Sequence, residues 1–99
     1  ILAYTQNTGN ADIQARMFAP LDGITEDPAT GSANCALAAL LAHHSDQSNG
    51  EFSWEVVQGL EMGRPSRLQV RAQKENGRVI GSWVGGTCVM VAEGVIVSE

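Results

Sequence analysis

The stretch Glu26-Asp27-Pro28-Ala29-Thr30-Gly31-Ser32-Ala33, running directly into Asn34-Cys35-Ala36-Leu37-Ala38-Ala39-Leu40-Leu41-Ala42, decides the reading of this chain. Its first half is polar and turn-forming; its second half reads as a helix apolar on every side. A helix without a polar face has to be enclosed by other structure. The residues leading into it put a carboxylate, two hydroxyls and a glycine beside the helix N-terminus. Unpaired backbone N–H groups and the positive end of the helix dipole meet there, which is the arrangement that holds a small anion.

Working outward, the helix is predicted over residues 31–44, about 20 Å long. Thr30 or Ser32 is placed to cap it, and Asp27 adds favourable charge at the same end. Alanines 33, 36, 38, 39 and 42 keep the rod thin enough for close packing. His43 and His44 fall in its last turn; adjacent residues point about 100° apart, so they read as a solvated helix end rather than a shared metal site. Upstream, residues 1–5 and 12–19 read as strands joined by a turn carrying Asn7, Gly9 and Asn10, and residues 24–30 as a loop. Downstream, residues 52–58, 67–73, 78–84, 87–92 and 95–97 read as strands. Leu68, Val70 and Ala72 alternate with Arg67, Gln69, Arg71 and Gln73, and Asn76-Gly77 is a strong hairpin turn signal. Glycines 81, 85, 86 and 94 fit bends in a curved sheet. The expected architecture is α+β: a curved, mainly antiparallel, barrel-like roll wrapped around one central buried helix, spanning residues 1–99 as a single domain.

Composition excludes several function classes. Six Lys/Arg against eleven Asp/Glu give a net charge of −5, which argues against nucleic acid, whose binding relies on clustered cations. No apolar run reaches the length of a membrane span and no cationic helix suggests a membrane surface. A hydrophobic content of 43% argues against disorder. Cys35 and Cys88 lack metal-ligand spacing and read as two reduced core thiols, which with the absence of a secretory signal points to the cytoplasm. The chain opens on Ile1 and is expected to be a fragment or an isolated domain.

Asp27 is the leading candidate for chemistry, able to exchange a proton with a substrate or grip its amine, though a capping carboxylate is the simpler alternative. Thr30, Gly31 and Ser32 come second: the N–H groups of Gly31 and Ser32 and the Ser32 hydroxyl suit a substrate carboxylate, against the alternative of a plain tight turn into the helix. Arg16 and Arg64 are available to an anionic ligand, with Arg64-Pro65 better read as a structural turn. Glu26 is expected to point away from Asp27. No Ser/His/Asp set, phosphate loop or dinucleotide fingerprint is present.

Arg16-Met17-Phe18-Ala19-Pro20, Gly23-Ile24, Glu26 through Ala33, Gln58-Gly59, Met62-Gly63-Arg64-Pro65-Ser66 and Val84-Gly85-Gly86 together resemble the phenazine biosynthesis, PhzF-like family over almost the whole chain. The resemblance implies the diaminopimelate-epimerase-like fold: two similar halves, each a curved sheet around a helix, with the active site between them, this chain corresponding to the C-terminal half. It implies Asp27 as the active-site aspartate of this half, with Thr30, Gly31 and Ser32 at the substrate's acidic group. It further implies a proton shift on a small cyclic amino or hydroxy acid without metal or organic cofactor, its principal acid/base a glutamate from the other half. Cysteine-dependent relatives of the fold carry their cysteine where this chain has Thr30, so a carboxylate-based proton shift is the implied chemistry. The expected partners are a small anionic substrate and either the missing N-terminal half-domain or a second copy of this chain in a homodimer; the competing reading is a binding or dimerisation module, or an inactive fragment of the enzyme.

Overall fold

In a computed structural model, described for residues 1–9 and 11–99, the chain is an α+β unit with one helix and a six-stranded, mostly antiparallel open sheet. The strands are β1 (Leu2–Gln6), β2 (Ile13–Ala19), β3 (Ile24–Asp27), β4 (Gly50–Gln58), β5 (Ser66–Glu75) and β6 (Arg78–Gly85), with α1 (Gly31–His43) between β3 and β4. Along the sheet the order is β1-β2-β4-β5-β6, and β3 also pairs with β2. Single 3₁₀ turns, Pro20–Asp22 and Leu60–Met62, follow β2 and β4.

The second half of the sheet follows from its alternation. In β5, Leu68, Val70, Ala72 and Lys74 are buried while Arg67, Gln69, Arg71 and Gln73 face outward. Asn76 and Gly77 both take positive φ, 51° and 78°, the backbone that a two-residue hairpin with native strand twist demands. The core is where α1 lies on the sheet: Leu37, Ala38 and Ala42 pack with Ile13, Ala15, Val56, Leu68, Val70 and Ala72. Alanines at 38 and 42, both without exposed surface, let the helix sit close to the strands.

The pairing of β2 with β4 is parallel, Ile13↔Val56, Gln14↔Val57 and Ala15↔Gln58. A parallel pair cannot be joined by a tight turn; α1 is the crossover between them. Further along, β2 pairs antiparallel with β3, Met17↔Asp27 and Ala19↔Ile24, across a register shift. β2 therefore offers one stretch to β4 and the next to β3, and this sets Asp27 and Gln58 near each other.

Several expectations change. Residues 24–27, read as loop, form β3, because the outer part of β2 supplies them a pairing edge. Residues 87–92 and 95–97, expected as strands, are neither helix nor strand; Val89, Met90, Val91, Val95, Ile96 and Val97 are exposed. Without those strands the sheet is open and does not close round α1. Ser32, Ala36, Leu40 and His43 stay exposed along one helix face, Leu40 at 47%, so the helix is covered on its sheet side and not on every side. Cys88 is exposed rather than in the core, while Cys35 is half-buried with its Sγ 3.1 Å from Ser82 Oγ; both are free thiols. Of the expected first turn, Asn7 and Gly9 take positive φ, and Asn10 lies outside the described residues. The His43 and His44 rings are exposed at the helix end, edge to face at 5.1 Å.

The C-terminal end of α1 is held by a buried cation. Lys74, 6% exposed, donates to the carbonyls of Ser45 at 2.9 Å and His43 at 3.3 Å. A positive charge there complements the helix dipole and satisfies carbonyls with no helical partner. Lys74→Met keeps the bulk and removes the donors, so it is expected to destabilise the fold by about 1–3 kcal/mol. Urea denaturation checks this as a lower midpoint at unchanged slope.

Candidate functional site

The site grows from the point where β3, α1 and the end of β4 converge. Pro28 and Ala29 carry the chain from Asp27 to Thr30, which takes an extended conformation (φ −120°, ψ 100°) immediately before the helix. Thr30 is thus the N-cap residue, as expected, yet its hydroxyl makes no cap bond to the helix backbone. It donates to Asp27 Oδ2 at 2.5 Å. The first-turn N–H groups of Gly31, Ser32 and Ala33 are left without a side-chain cap, at the end of the helix where an anion is most favoured. Ser32 is exposed, Gly31 and Asp27 half-buried and Thr30 buried. All four predicted site residues therefore lie together within one turn of the helix tip.

Sequence reasoning missed what holds them there. Gln58, the last residue of β4, is fully buried. Its Oε1 accepts from the Thr30 backbone N–H at 3.3 Å and from Asn34 Nδ2 at 2.7 Å. Its Nε2 donates to the Asp27 carbonyl at 2.7 Å and to Thr30 Oγ1 at 3.0 Å. Asn34, also with no exposed surface, spends its other amide hydrogen on the Thr30 carbonyl at 2.7 Å, and its Oδ1 has no hydrogen-bond partner among the described residues. The available signals were the Gln58-Gly59 block of the resemblance and Asn34, an amide in an otherwise alanine- and leucine-rich helix, since a buried polar group needs a partner.

Gly59 allows this approach. It takes φ +83°, and a Cβ there would meet the carbonyl oxygen of Arg64 and stand 2.9 Å from that of Pro28. Only glycine lets the end of β4 press against the Asp27–Pro28 backbone.

The arginines are committed elsewhere. Arg16 forms a two-point pair with Glu26, Nη2–Oε1 at 2.8 Å and Nε–Oε2 at 3.1 Å, with Glu61 Oε2 at 3.9 Å. Glu26 is thereby turned to the Arg16 side, and Arg16 serves as its partner instead of a free anion receptor. Arg64 is exposed, its backbone N–H donating to the Gly59 carbonyl at 3.0 Å, which fits the structural turn. Beside the helix tip, a cleft of about 550 Å³ is lined by Ala29, Pro65, Leu68, Val84, Gly85 and Thr87 among others. Among the described residues no group of three His, Cys, Asp or Glu is placed to hold a metal ion, and no helix is long and apolar enough to cross a membrane.

A curved, open six-stranded sheet backing one helix, with a carboxylate and a hydroxyl hydrogen-bonded at the helix tip, defines the class: an α+β unit of one helix on a mostly antiparallel sheet. The phenazine biosynthesis-like protein family matches residues 2–94, and the chain belongs to that family. It is 44% identical over 81 residues to the trans-2,3-dihydro-3-hydroxyanthranilate isomerase of Pseudomonas aeruginosa, covering 82% of this chain and 29% of that protein. It is 40% identical over 84 residues to the enzyme of the same name from Pseudomonas chlororaphis, covering 85% and 30%. An uncharacterised isomerase of Mesorhizobium japonicum is 38% identical over 93 residues, covering 92% and 31%. The chain thus spans under a third of the length of these relatives.

Two outcomes follow from the geometry. Gly59→Ala forces a side chain into a positive-φ position against two carbonyls, and a loss of roughly 3 kcal/mol is expected in thermal or urea unfolding. The hydrogen bonds from Arg16, aided by its charge and opposed by desolvation, hold the Glu26 carboxyl below its ordinary 4.5. A carboxyl lowered by folding adds stability that is complete above the unfolded value and disappears as pH falls through the lowered folded value. Glu26→Gln is therefore expected to flatten the loss of stability on acidification below about 4.5, measured as melting temperature against pH.

Proposed function

We propose that this chain is the C-terminal half-domain of a PhzF-type isomerase that moves a proton, without metal or organic cofactor, on a small cyclic amino or hydroxy acid. Asp27 is the acid/base group of this half. The N–H groups of Gly31 and Ser32, with the Ser32 hydroxyl, bind the substrate's acidic group, and Thr30 orients Asp27. The observation that carries the reading is the Thr30–Asp27 contact at the tip of α1, with first-turn N–H groups uncapped alongside it. A carboxylate held by one short hydrogen bond keeps its other oxygen for a substrate proton, and the helix tip fixes a substrate carboxylate next to it. The relatives named as trans-2,3-dihydro-3-hydroxyanthranilate isomerases supply the substrate class: a ring bearing an amine, a hydroxyl and a carboxylate.

The second half of the site comes from a partner, either an N-terminal half-domain or a second copy of this chain. The exposed Leu40 face of α1 and the exposed apolar residues between Val89 and Val97 support such a partner, since contiguous apolar surface is covered in a working assembly. The alternative is a module that binds small anions or dimerises without catalysis.

Incubating the chain, alone and mixed with an N-terminal half-domain of the family, with trans-2,3-dihydro-3-hydroxyanthranilate in D₂O tests the proposal. Deuterium is expected to enter the substrate or product carbon. Asp27→Asn is expected to slow this by at least about a hundredfold. Binding of the acid with no Asp27-dependent exchange in either preparation would sink the isomerase reading in favour of the binding module. Sedimentation of the chain at micromolar concentration is expected to show self-association; a stable monomer leaves the N-terminal half-domain as the partner.

A further inference from the structure

The directions of the hydrogen bonds around Gln58 follow from one unambiguous donor. The Thr30 backbone N–H can only donate, so the Gln58 atom that receives it is the carbonyl oxygen Oε1. Nε2 is then the donor toward Thr30 Oγ1. The Thr30 hydroxyl, occupied as an acceptor by Nε2, has its single hydrogen left for Asp27 Oδ2. Asn34 Nδ2 fixes the far end by donating to Gln58 Oε1, and it does so although its own Oδ1 stays buried without a partner among the described residues. All four hydrogen-bonding positions of the Gln58 amide are filled, the last by the Asp27 carbonyl. The result is a one-way chain: Asn34 to Gln58, Gln58 to Thr30, Thr30 to Asp27.

We infer that Gln58 is a positioning residue for Asp27: its buried amide aims the Thr30 hydroxyl proton at one carboxylate oxygen and fixes the Asp27–Thr30 backbone, leaving the other oxygen as the one presented to a substrate. Asn34 sets the amide orientation. Low local dielectric strengthens such a linked chain, and an unfilled position in it is costly, so the arrangement holds one orientation. The inference rests on the proposed role of Asp27 for its catalytic meaning, but the aimed hydroxyl is a property of the chain by itself.

The test has one arm for each. In water, ¹H NMR of the chain is expected to show the Thr30 hydroxyl and Gln58 carboxamide protons in slow exchange. Gln58→Met, similar in bulk but without donors, is expected to abolish the hydroxyl resonance and move the Asp27 side-chain ¹³C signal while amide dispersion stays native-like. Thr30→Ser is expected to keep both signals, and Thr30→Val to lose the hydroxyl while the Gln58 protons remain. Should Gln58→Met fail to fold, Gln58→Leu, which likewise supplies no donors, takes its place with the same expectation. In the deuterium-exchange assay, the Gln58 variant is expected to lower the turnover rate roughly tenfold with little change in KM. A hydroxyl resonance and Asp27 signal unmoved by loss of the Gln58 amide overturn the inference. Exchange that depends on Asp27 but not on Gln58 overturns its catalytic meaning alone. Exchange indifferent to Asp27 overturns the isomerase reading and leaves the NMR arm to decide the aimed hydroxyl.

Discussion

The geometry of the site depends on one strand serving two neighbours. β2 pairs in parallel with the end of β4 over Ile13–Ala15, then pairs antiparallel with β3 at Met17 and Ala19. Gln58 is opposite Ala15 and Asp27 opposite Met17, so two residues along one strand separate the supports of the clamp. The parallel pairing also requires a crossover, and α1 is that crossover, which brings its N-terminus back over the junction. Moving β4 by one residue along β2 would turn Gln58 to the outer face and dissolve the contact. The chemistry at the helix tip is thus a consequence of sheet register as much as of the residues at the tip.

Polar groups are expensive to bury, and this site buries three polar side chains near one another. Gln58 and Asn34 have no exposed surface, Thr30 is 9% exposed, and Asn34 Oδ1 lacks a partner among the described residues. An unsatisfied buried oxygen costs on the order of 1–3 kcal/mol. Gln58 also satisfies the Thr30 N–H and the Asp27 carbonyl, whereas a leucine at 34 would remove the unpartnered oxygen, so stability alone does not account for that amide. Specific orientation of Thr30 and Asp27 does: the backbone at residues 27–30 leaves its strand and turns into a helix, where no regular ladder would hold it. Gly59 completes the arrangement by removing the side chain that would keep β4 away.

Much of this was legible in the sequence. The helix bounds are those of the alanine-rich run to within a residue, the β5–β6 hairpin is marked by Asn76-Gly77 and the alternation before it, and Asp27, Thr30, Gly31 and Ser32 do gather at one helix tip. What escaped reading involves partners distant in sequence. β3 exists because β2 has spare edge, which its own four residues do not announce. The helix was read as enclosed because its residues are apolar, but cover has to come from elsewhere, and the 87–97 segment that was to supply it is not part of the sheet. Arg16 and Glu26, ten residues apart, were assigned separately and turn out to be each other's partners. Gln58 stands in one of the blocks that carry the family resemblance, but its role does not follow from that block; the role comes from Asn34, 24 residues earlier, and from a pairing register that only the fold supplies.

The use of Thr30 bears on which proton chemistry suits this tip. Its hydroxyl is engaged twice, accepting from Gln58 and donating to Asp27, so it is not poised to take or give a substrate proton itself. The resemblance implies a reacting cysteine at this place in cysteine-dependent enzymes of the fold; the hydroxyl here supports a carboxylate instead. Cys35 does not substitute for such a thiol, since it lies beyond the first turn with its sulfur against Ser82 of β6. Of the groups at the tip, Asp27 is therefore the one the proposed proton chemistry calls on. In the function proposed, a single carboxylate aimed through Thr30 by a buried amide suits the movement of one proton on a substrate whose acid group the helix tip would anchor, with the opposite face of that substrate left to the proposed partner.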